Sequence, residues 1–573
     1  MDANAELSRW NNLPNVYGEG GIFAFSGMDG ETCTASGFVA TLMGERYGLL
    51  VHTPMQRRFT IGLPELGEVV AVTGDVLAVR AGAAELALAF SAWHTLVGVT
   101  PVEAEITLQP ASSPVVEGSV TLQISPDPEG RDVLALAREG GRFALAYGRT
   151  RDEAGGRARA GLTANLPEVF HARLAYLAKL PVLADAAMDR LLKKCASVMK
   201  VNSCAAEGRF AQAWSTPDRV PHQDLWLWDS VFHSLAMNLL DADLSWAFLK
   251  SVLDTQREDG MIPHQSNISG GSSNITQPPL LVWGMWENYQ VTGDAERLAY
   301  ALPRLTRYVE WNCRNRDANG NGLFEWLIEG DPFCRSGESG LDNSPRFDGA
   351  VALDAVDFST FMALEMHYLA RMAAALGEQS AAEHWQQQSA KTAKQIIALL
   401  WDDGSGFYYD RDLEGRLTYV RAVSGFLPLL LEGLPASQVD QLLGALGNPT
   451  TFHTPMSVPS VAVSDPMWST DMWRGATWIN FNYFIILGLR KQGRQAEARW
   501  LREQTIDGVN KYYEQYGVTF EFYDAKDERP PTECDRKGKN RGEYNIRGKF
   551  DSIRDYHWTA ALVFCLLCEN TRS

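Results

Sequence analysis

The stretch Asp357–Leu376, DFSTFMALEMHYLARMAAAL, sets Phe358, Phe361, Met362, Met366, Leu369 and Met372 at helical spacing. Apolar residues recurring every three or four positions form one stripe along an α-helix. Ser380–Trp401 repeats the pattern with Trp385, Ile396, Ile397 and Leu400. Working outward, the same period predicts helices over 182–200, 229–240, 243–257, 279–292, 295–314, 436–446, 474–493, 496–514 and 556–569, about eleven in all. Antiparallel helix pairs in that number predict a closed α/α toroid, with a pocket formed by the loops at one end.

Before residue 175 the period is two. Gly21–Ser26, Gly37–Leu42, Tyr47–His52, Glu68–Val72, Val76–Arg80 and Ala104–Leu108 are short, β-branched and alternating, with Gly, Pro and Asp turns between them. That spacing predicts an antiparallel β-sandwich. The expected multidomain chain is therefore a β-sandwich domain over 1–175 followed by a barrel domain over 176–573. A chain of 573 residues exceeds one ordinary core, which agrees with two domains.

A net charge of −18 speaks against nucleic acid and against an anionic membrane surface. No run approaches the roughly 18 apolar residues of a membrane span. Met1–Glu6 has neither a basic start nor an apolar stretch, and the eight cysteines are scattered, so a cytoplasmic location is expected. Cys565 and Cys568 share CxxC spacing but sit in the apolar run Ala560–Leu567 and read as buried thiols. Seventeen Trp favour aromatic-lined clefts. The partner expected is a small neutral oligosaccharide or glycoside.

The motifs outside the helical stripes combine aromatic rings with acids. Gly337–Arg346, GESGLDNSPR, puts Asp342 in a Gly- and Pro-punctuated loop with Glu338, Asn343 and Arg346. Partial burial there would let Asp342 hold a proton near neutral pH, with Arg346 as a charge partner. Trp226, Trp228 and Asp229 precede a helix, so Asp229 is either an N-cap or a sugar-binding acid beside stacking rings. Gln277 precedes two prolines, with Trp283 just beyond. Trp473, Arg474, Gly475 and Trp478 open an apolar helix, where the Trp pair reads as sugar platform or core anchor. In Phe520–Asp524 the alternation sets Glu521 and Tyr523 on one side. His557 and Trp558 open the last helix and would close the pocket. Asp317, Asn319 and Asn321, with Leu323 at the seventh place, resemble half of an EF-hand loop. The alternatives are a structural Ca2+ and a plain Asn-Gly turn.

Taken in this order, the motifs from about residue 180 onward resemble the clan of inverting (α/α)6-barrel glycosidases. That clan includes glycoside hydrolase family 63, the mannosylglycerate- and glucosylglycerate-hydrolase-like enzymes and, more distantly, trehalase. Met472 departs from the resemblance, standing where an aromatic residue is expected. The resemblance implies Asp342 as general acid and Glu521 as general base in an exo-acting hydrolase of a short α-glycoside, an α-glucoside by preference. Trp226, Trp228, Asp229, Gln277, Trp473 and Arg474 would grip the sugar. No cofactor is needed for that chemistry. A sugar phosphorylase and a non-catalytic carbohydrate-binding protein are the rival classes. The first would need a basic phosphate cradle, and the second would bind without cleavage.

Overall fold

In Ala84–Ala92, Leu86, Leu88 and Phe90 point to one face and Ala87 and Ala89 to the other. The large residues bury inside a sandwich, while the small ones admit helices close to the opposite face. The computed structural model describes residues 3–44, 47–82, 84–538 and 550–569. Its N-terminal part holds two antiparallel sheets. One has five strands, running from Ile22–Phe23 through Ala40–Leu42, Leu49–His52 and Gln56–Gly62 to Glu105–Gln109. The other has eight, with Thr95–Val99 between Arg142–Gly148 and Ala84–Ala92. Phe23, Phe59, Phe90, Leu134 and Phe143 fill the space between them.

Three helices lie in this β part that the alternation did not predict: α1 (Ala3–Leu7), α2 (Arg151–Gly161) and α3 (Leu166–Leu174). The α2 sequence, RDEAGGRARAG, has no large apolar residue and so no legible stripe. It forms because Thr150 caps it, its hydroxyl accepting from Glu153 N, and because Ala154 and Ala158 dock on Ala135, Ala137 and Ala146 of the sheet.

Beyond α3 the chain is helical. Six segments form an inner ring: α5 (Leu227–Met237), α7 (Leu281–Thr292), α9 (Val356–Ala375), a 3₁₀ helix at Val423–Leu430, α12 (Ile479–Lys491) and α14 (His557–Cys568). Each packs on the next, and α14 returns to α5. The outer shell is α4 (Ala186–Val201), α6 (Ala242–Leu253), α8 (Ala295–Asn315), α10 (Gln379–Leu399), α11 (Ala436–Leu446) and α13 (Gln495–Tyr516). The eleven expected helices are present, and the sixth inner place is taken by the 3₁₀ segment. Pro428 withholds an N–H there, and a Cβ on Gly425 would collide with the Phe407 ring. The helix expected from residue 474 starts instead at Ile479. Met472–Arg474 form a short 3₁₀ turn, and beyond it Thr477 is held extended, exchanging both backbone hydrogen bonds with Tyr523. Among the described residues no helix is long and apolar enough to cross a membrane.

Two buried ion clusters stitch the sheets to the barrel. Lys200 on α4 meets Asp75 at 2.5 Å and Asp29 at 2.8 Å. Asp555, just before α14, meets Lys194 at 2.8 Å and accepts from Ile22 N and Thr519 N. Replacing Asp555 by Ala would leave a buried ammonium and two orphaned amides, a change of about 3–5 kcal/mol. The expected result is a clear drop in melting temperature for Asp555→Ala, read by scanning calorimetry, at unchanged secondary structure.

Candidate active site

The loops at the N-terminal ends of α5, α12 and α14 meet the Asp342 loop around a cavity of about 440 Å³. That lies within the ~300–1,000 Å³ range of small-molecule sites. A larger hollow of about 910 Å³ lies on the β part, but Arg58 is the sole ionisable group among its lining residues, so it lacks acid–base machinery.

The helical cavity is floored by rings. Trp473 and Trp478 stack at 3.8 Å, and Trp228 and Trp478 each meet Trp558 edge-on, at 5.3 and 5.7 Å. The close fit explains Gly340, which has φ +70 and where a Cβ would collide with the Trp228 ring. Trp228 N donates to Gln277 Oε1. Among the described residues, three buried polar atoms of the lining have no protein partner: Asp229 Oδ1, Trp226 Nε1 and Trp558 Nε1. An acceptor and two donors beside flat rings suit the hydroxyls and apolar face of a sugar.

Asp342 and Glu521 both line this cavity, and each is held by a cation. Arg536 grips Glu521 bidentately at 2.9 and 3.0 Å. Lys537 contacts Asp342 Oδ2 at 2.5 Å. Burial pushes the Asp342 carboxyl up, but the charge and hydrogen bond of Lys537, and then the charge of Arg536, bring it below the ordinary carboxylate range. Asp229 goes the other way. Burial, then the charges of Glu521, Asp218 and Asp342, raise it well above that range. His264 is pushed down to about 4 by burial and is therefore a neutral imidazole.

Of the residues singled out from sequence, the structure brings Trp226, Trp228, Asp229, Gln277, Asp342, Trp473, Trp478, Glu521 and Trp558 into one cavity. The others lie outside its lining. Trp283 lines a separate cavity with Leu235, Phe484 and Lys491, because its helical phase turns it away. Glu338 is buried under the loop, bound bidentately by Arg316 and by the amides of Thr276 and Leu327. Asn343 accepts from Trp473 N, and Arg474 is drawn to Asp348 at 2.7 Å. Gly475 allows a close approach to the Ser469 carbonyl. Tyr523 does not share the cavity with Glu521; its hydroxyl accepts from Phe520 N in the core. His557 stacks on His233 at 3.5 Å beneath the floor. Arg346 does not face Asp342. It lies wholly buried between Asp357 and Asp410, at 2.6 and 2.7 Å, where two carboxylates neutralise it.

Met472 lines the cavity with φ +44, an unusual conformation for a side chain of its size. The turn directs its carbonyl to Trp478 Nε1 and the next amide to Asn343. Arg536, Lys537, Tyr556, His222 and His264 also line the site and were not singled out. Arg536 and Lys537 sit in a mixed-charge run after two prolines, which looks like solvated loop. Two adjacent cations just after an acid segment, in so acidic a chain, were the available signal.

In the Asp317–Leu323 loop, Asn319 and Asn321 donate to the two oxygens of Asp354, and Asp317 Oδ2 accepts from Gly322 N. Among the described residues Asp317 Oδ1 and Glu325 Oε1 find no hydrogen-bond partner, and both are buried. Burial raises both Glu325 and Asp354; the charges of Asp354 and Asp317 add to the first, and that of Asp317 to the second. Among the described residues no three His, Cys, Asp or Glu side chains are grouped to hold a metal. A cation here would therefore draw on amide or carbonyl oxygens such as that of Leu323 as well as acids, the donor set of a hard ion.

Arg346→Met would strand two buried carboxylates. The expected loss is about 3–5 kcal/mol, seen as a lower urea midpoint, with turnover falling as the Asp342 loop loses its anchor.

A family model for the mannosylglycerate hydrolase MGH1-like glycoside hydrolase domain matches residues 221–559. Mannosylglycerate hydrolase of Thermus thermophilus is 25% identical over 378 residues, covering 51% of this chain and 89% of that protein. A Borreliella burgdorferi protein is 26% identical over 223 residues, 39% of this chain, and the match spans 44% of that protein's length. Among solved structures, the GH63 mannosylglycerate hydrolase from Thermus thermophilus in complex with glucose aligns over 65% of this chain and 99% of its own. The TM-score is 0.52 and the identity 24%. A bacterial glucoamylase complexed with acarbose aligns over 98% of this chain and 97% of its own, at TM-score 0.59 and 12% identity. The structural likenesses speak to fold: sheets followed by an (α/α)6 barrel.

Proposed function

The chain belongs to the mannosylglycerate hydrolase MGH1-like glycoside hydrolases, and from that premise we propose that it removes the terminal sugar of a short α-glycoside, an α-glucoside by preference, with inversion. The glycoside hydrolase class itself follows from the family. Asp342 gives its proton to the glycosidic oxygen as the bond from that oxygen to the anomeric carbon breaks. Water adds to the opposite face of that carbon, and Glu521 takes the water's proton. The products are a free sugar of inverted configuration and an alcohol, and solvent returns Asp342 and Glu521 to their starting states. The observation that carries this reading is the arrival of two carboxyls, remote in sequence, in one ring-floored cavity. Inversion needs carboxyls roughly 6.5–9.5 Å apart to admit the water.

Arg536 fixes the plane of Glu521 through a two-toothed contact, so the base presents a constant edge. Asp229 Oδ1, Trp226 Nε1 and Trp558 Nε1 would bind hydroxyls of the sugar being released. Mannosylglycerate and glucosylglycerate hydrolases among the relatives point to mannosyl or glucosyl compounds of glycerate as substrates to try first. A phosphorylase is disfavoured because, among the described residues, the two lining cations, Arg536 and Lys537, already each hold a carboxylate. The upward push on Asp229 favours a second reading, in which Asp229 is the proton donor.

Each acid–base role contributes about 10²–10⁴-fold. Asp342→Asn and Glu521→Gln are each expected to lower kcat on an α-glucoside by that factor without unfolding. On α-glucosyl fluoride, whose leaving group needs no proton, Asp342→Asn recovers most of its rate and Glu521→Gln does not. Recovery by Asp229→Asn instead would move the acid role there. NMR of the first-formed sugar should show the β-anomer from an α-glucoside; an α-anomer would rule out the single displacement.

A structural calcium ion in the Asp317–Leu323 loop is also proposed, supported by the two unpartnered acid oxygens. Chelation should lower the melting temperature of the wild type, calcium should restore it, and Asp317→Ala should show neither response.

A further inference from the structure

Among the described residues, the two cations that line the site, Arg536 and Lys537, are not equivalent. Arg536 holds both oxygens of Glu521 with its planar fork, and the pair is closed off, its side chains 6% and 3% exposed. Lys537 holds Asp342 through one oxygen on a flexible stem, and that pair opens on the cavity, at 29% and 20%. A fork on both oxygens is hard to displace, while a single ammonium contact at a wet edge can be exchanged for another. The place from which Lys537 emerges is set by its own backbone, at φ +54, and by Asp471, which accepts from Gly538 N.

Among the described residues, the other charged or titratable groups acting on Asp342 are spoken for or neutral. Arg536 is taken by Glu521. His264 is driven neutral by burial, as is the Cys334 thiol, pushed up to about 12. Asp229 is pushed toward its protonated form. Lys537, by charge and by hydrogen bond, is therefore the foremost influence that keeps the Asp342 carboxyl ionised against the cost of its desolvation, ahead of the charge of Arg536. A general acid must carry its proton when substrate is bound, so the Lys537 contact works against the role of Asp342.

We infer that Lys537 is a latch on Asp342 which a carboxylate in the leaving group releases. The inference rests on Asp342 being the proton donor. In a 2-O-glycosyl derivative of an α-hydroxy acid, the carboxylate is attached to the carbon that bears the glycosidic oxygen. With that oxygen facing Asp342, the carboxylate lies within reach of Lys537 Nζ. Lys537 turns to the substrate, Asp342 loses its counter-ion, and its burial then draws a proton from solvent. The balance is one proton taken up on binding and one ion pair exchanged for another. A neutral leaving group offers Lys537 nothing and leaves Asp342 ionised. Lys537 is thus a positioning and selecting residue, acting through Asp342.

The test uses the full chain. D-glycerate is titrated calorimetrically at pH 6 in buffers of different ionisation enthalpy. The wild type should take up close to one proton per site, Lys537→Arg should keep the uptake, and Lys537→Met should lose most of it. In parallel, kcat is measured across pH on 2-O-α-glucosylglycerate and on its neutral counterpart 2-O-α-glucosylglycerol. The wild type should prefer the acid by about tenfold or more, the equivalent of one pKa unit on Asp342. Its alkaline limb should lie at higher pH for that substrate. In folded Lys537→Met the preference should collapse and turnover of the neutral compound should rise. No glycerate binding, no proton uptake, or an unchanged preference in Lys537→Met overturns the latch. If the wild type cleaves both compounds with the same alkaline limb, the latch falls while the hydrolase stands. If it cleaves neither, the proposed function falls first.

Discussion

The Asp342 loop hangs from one buried guanidinium. Arg346 reaches Asp410 with one side of its fork and Asp357, at the start of α9, with the other, and none of the three side chains is appreciably exposed. Three buried charges cannot be hydrated, so their geometry is dictated by one another. The pairing fixes Pro345–Phe347 to the inner ring, and Glu338, gripped by Arg316, fixes the other end. Between these two anchors the chain has little freedom, and Asp342 is delivered to the cavity at a set height. Asn343 extends the constraint to the Trp473 amide, joining the acid loop to the aromatic floor. Thr477 and Tyr523 then join the floor to the segment bearing Glu521.

The distribution of charge around this frame is the least ordinary property of the site. Four carboxyls line one small volume, and their surroundings separate them: Asp342 is pulled down, Asp229 is pushed up, Glu521 is clamped by Arg536, and Asp224 accepts from the Gln265 amide. Separation of this kind is how a single cavity assigns different tasks to like groups. The rings contribute by excluding water from Asp229, whose upward shift is first of all a burial effect.

How much of this was legible in the sequence depended on whether the signal was local. The stripe in Asp357–Leu376 predicts α9 because one face of that helix meets the ring and side-chain period records it. The α2 helix leaves no such record, since its contacts are made by alanines whose size matters only against the alanine face of the sheet. The 3₁₀ segment at Val423–Leu430 was missed for a related reason: it is apolar on all sides and carries a proline, so period and propensity both point away from a helix. In the site, rings flanking acids marked Trp228, Asp229 and Glu521, since both residue types lie side by side in the chain. Arg346 and Arg474 were read as pocket groups because an Arg near an acid motif has no stated partner in one dimension. Asp357, Asp410 and Asp348 claim them in three. Lys537 is the converse case, a residue of ordinary loop appearance whose importance comes wholly from where the fold sets it.

Asp555 stands one residue from Tyr556 and three from Trp558, both of which line the cavity, yet its carboxylate is committed to Lys194 and to the amide of Ile22 in the first sheet. The sandwich thus acts as a buttress for the indole floor instead of a passenger beside it. Strain on the first strand is carried to the indole floor through a single turn of chain. A substitution on the β side therefore acts on the shape of the cavity without altering any residue that lines it.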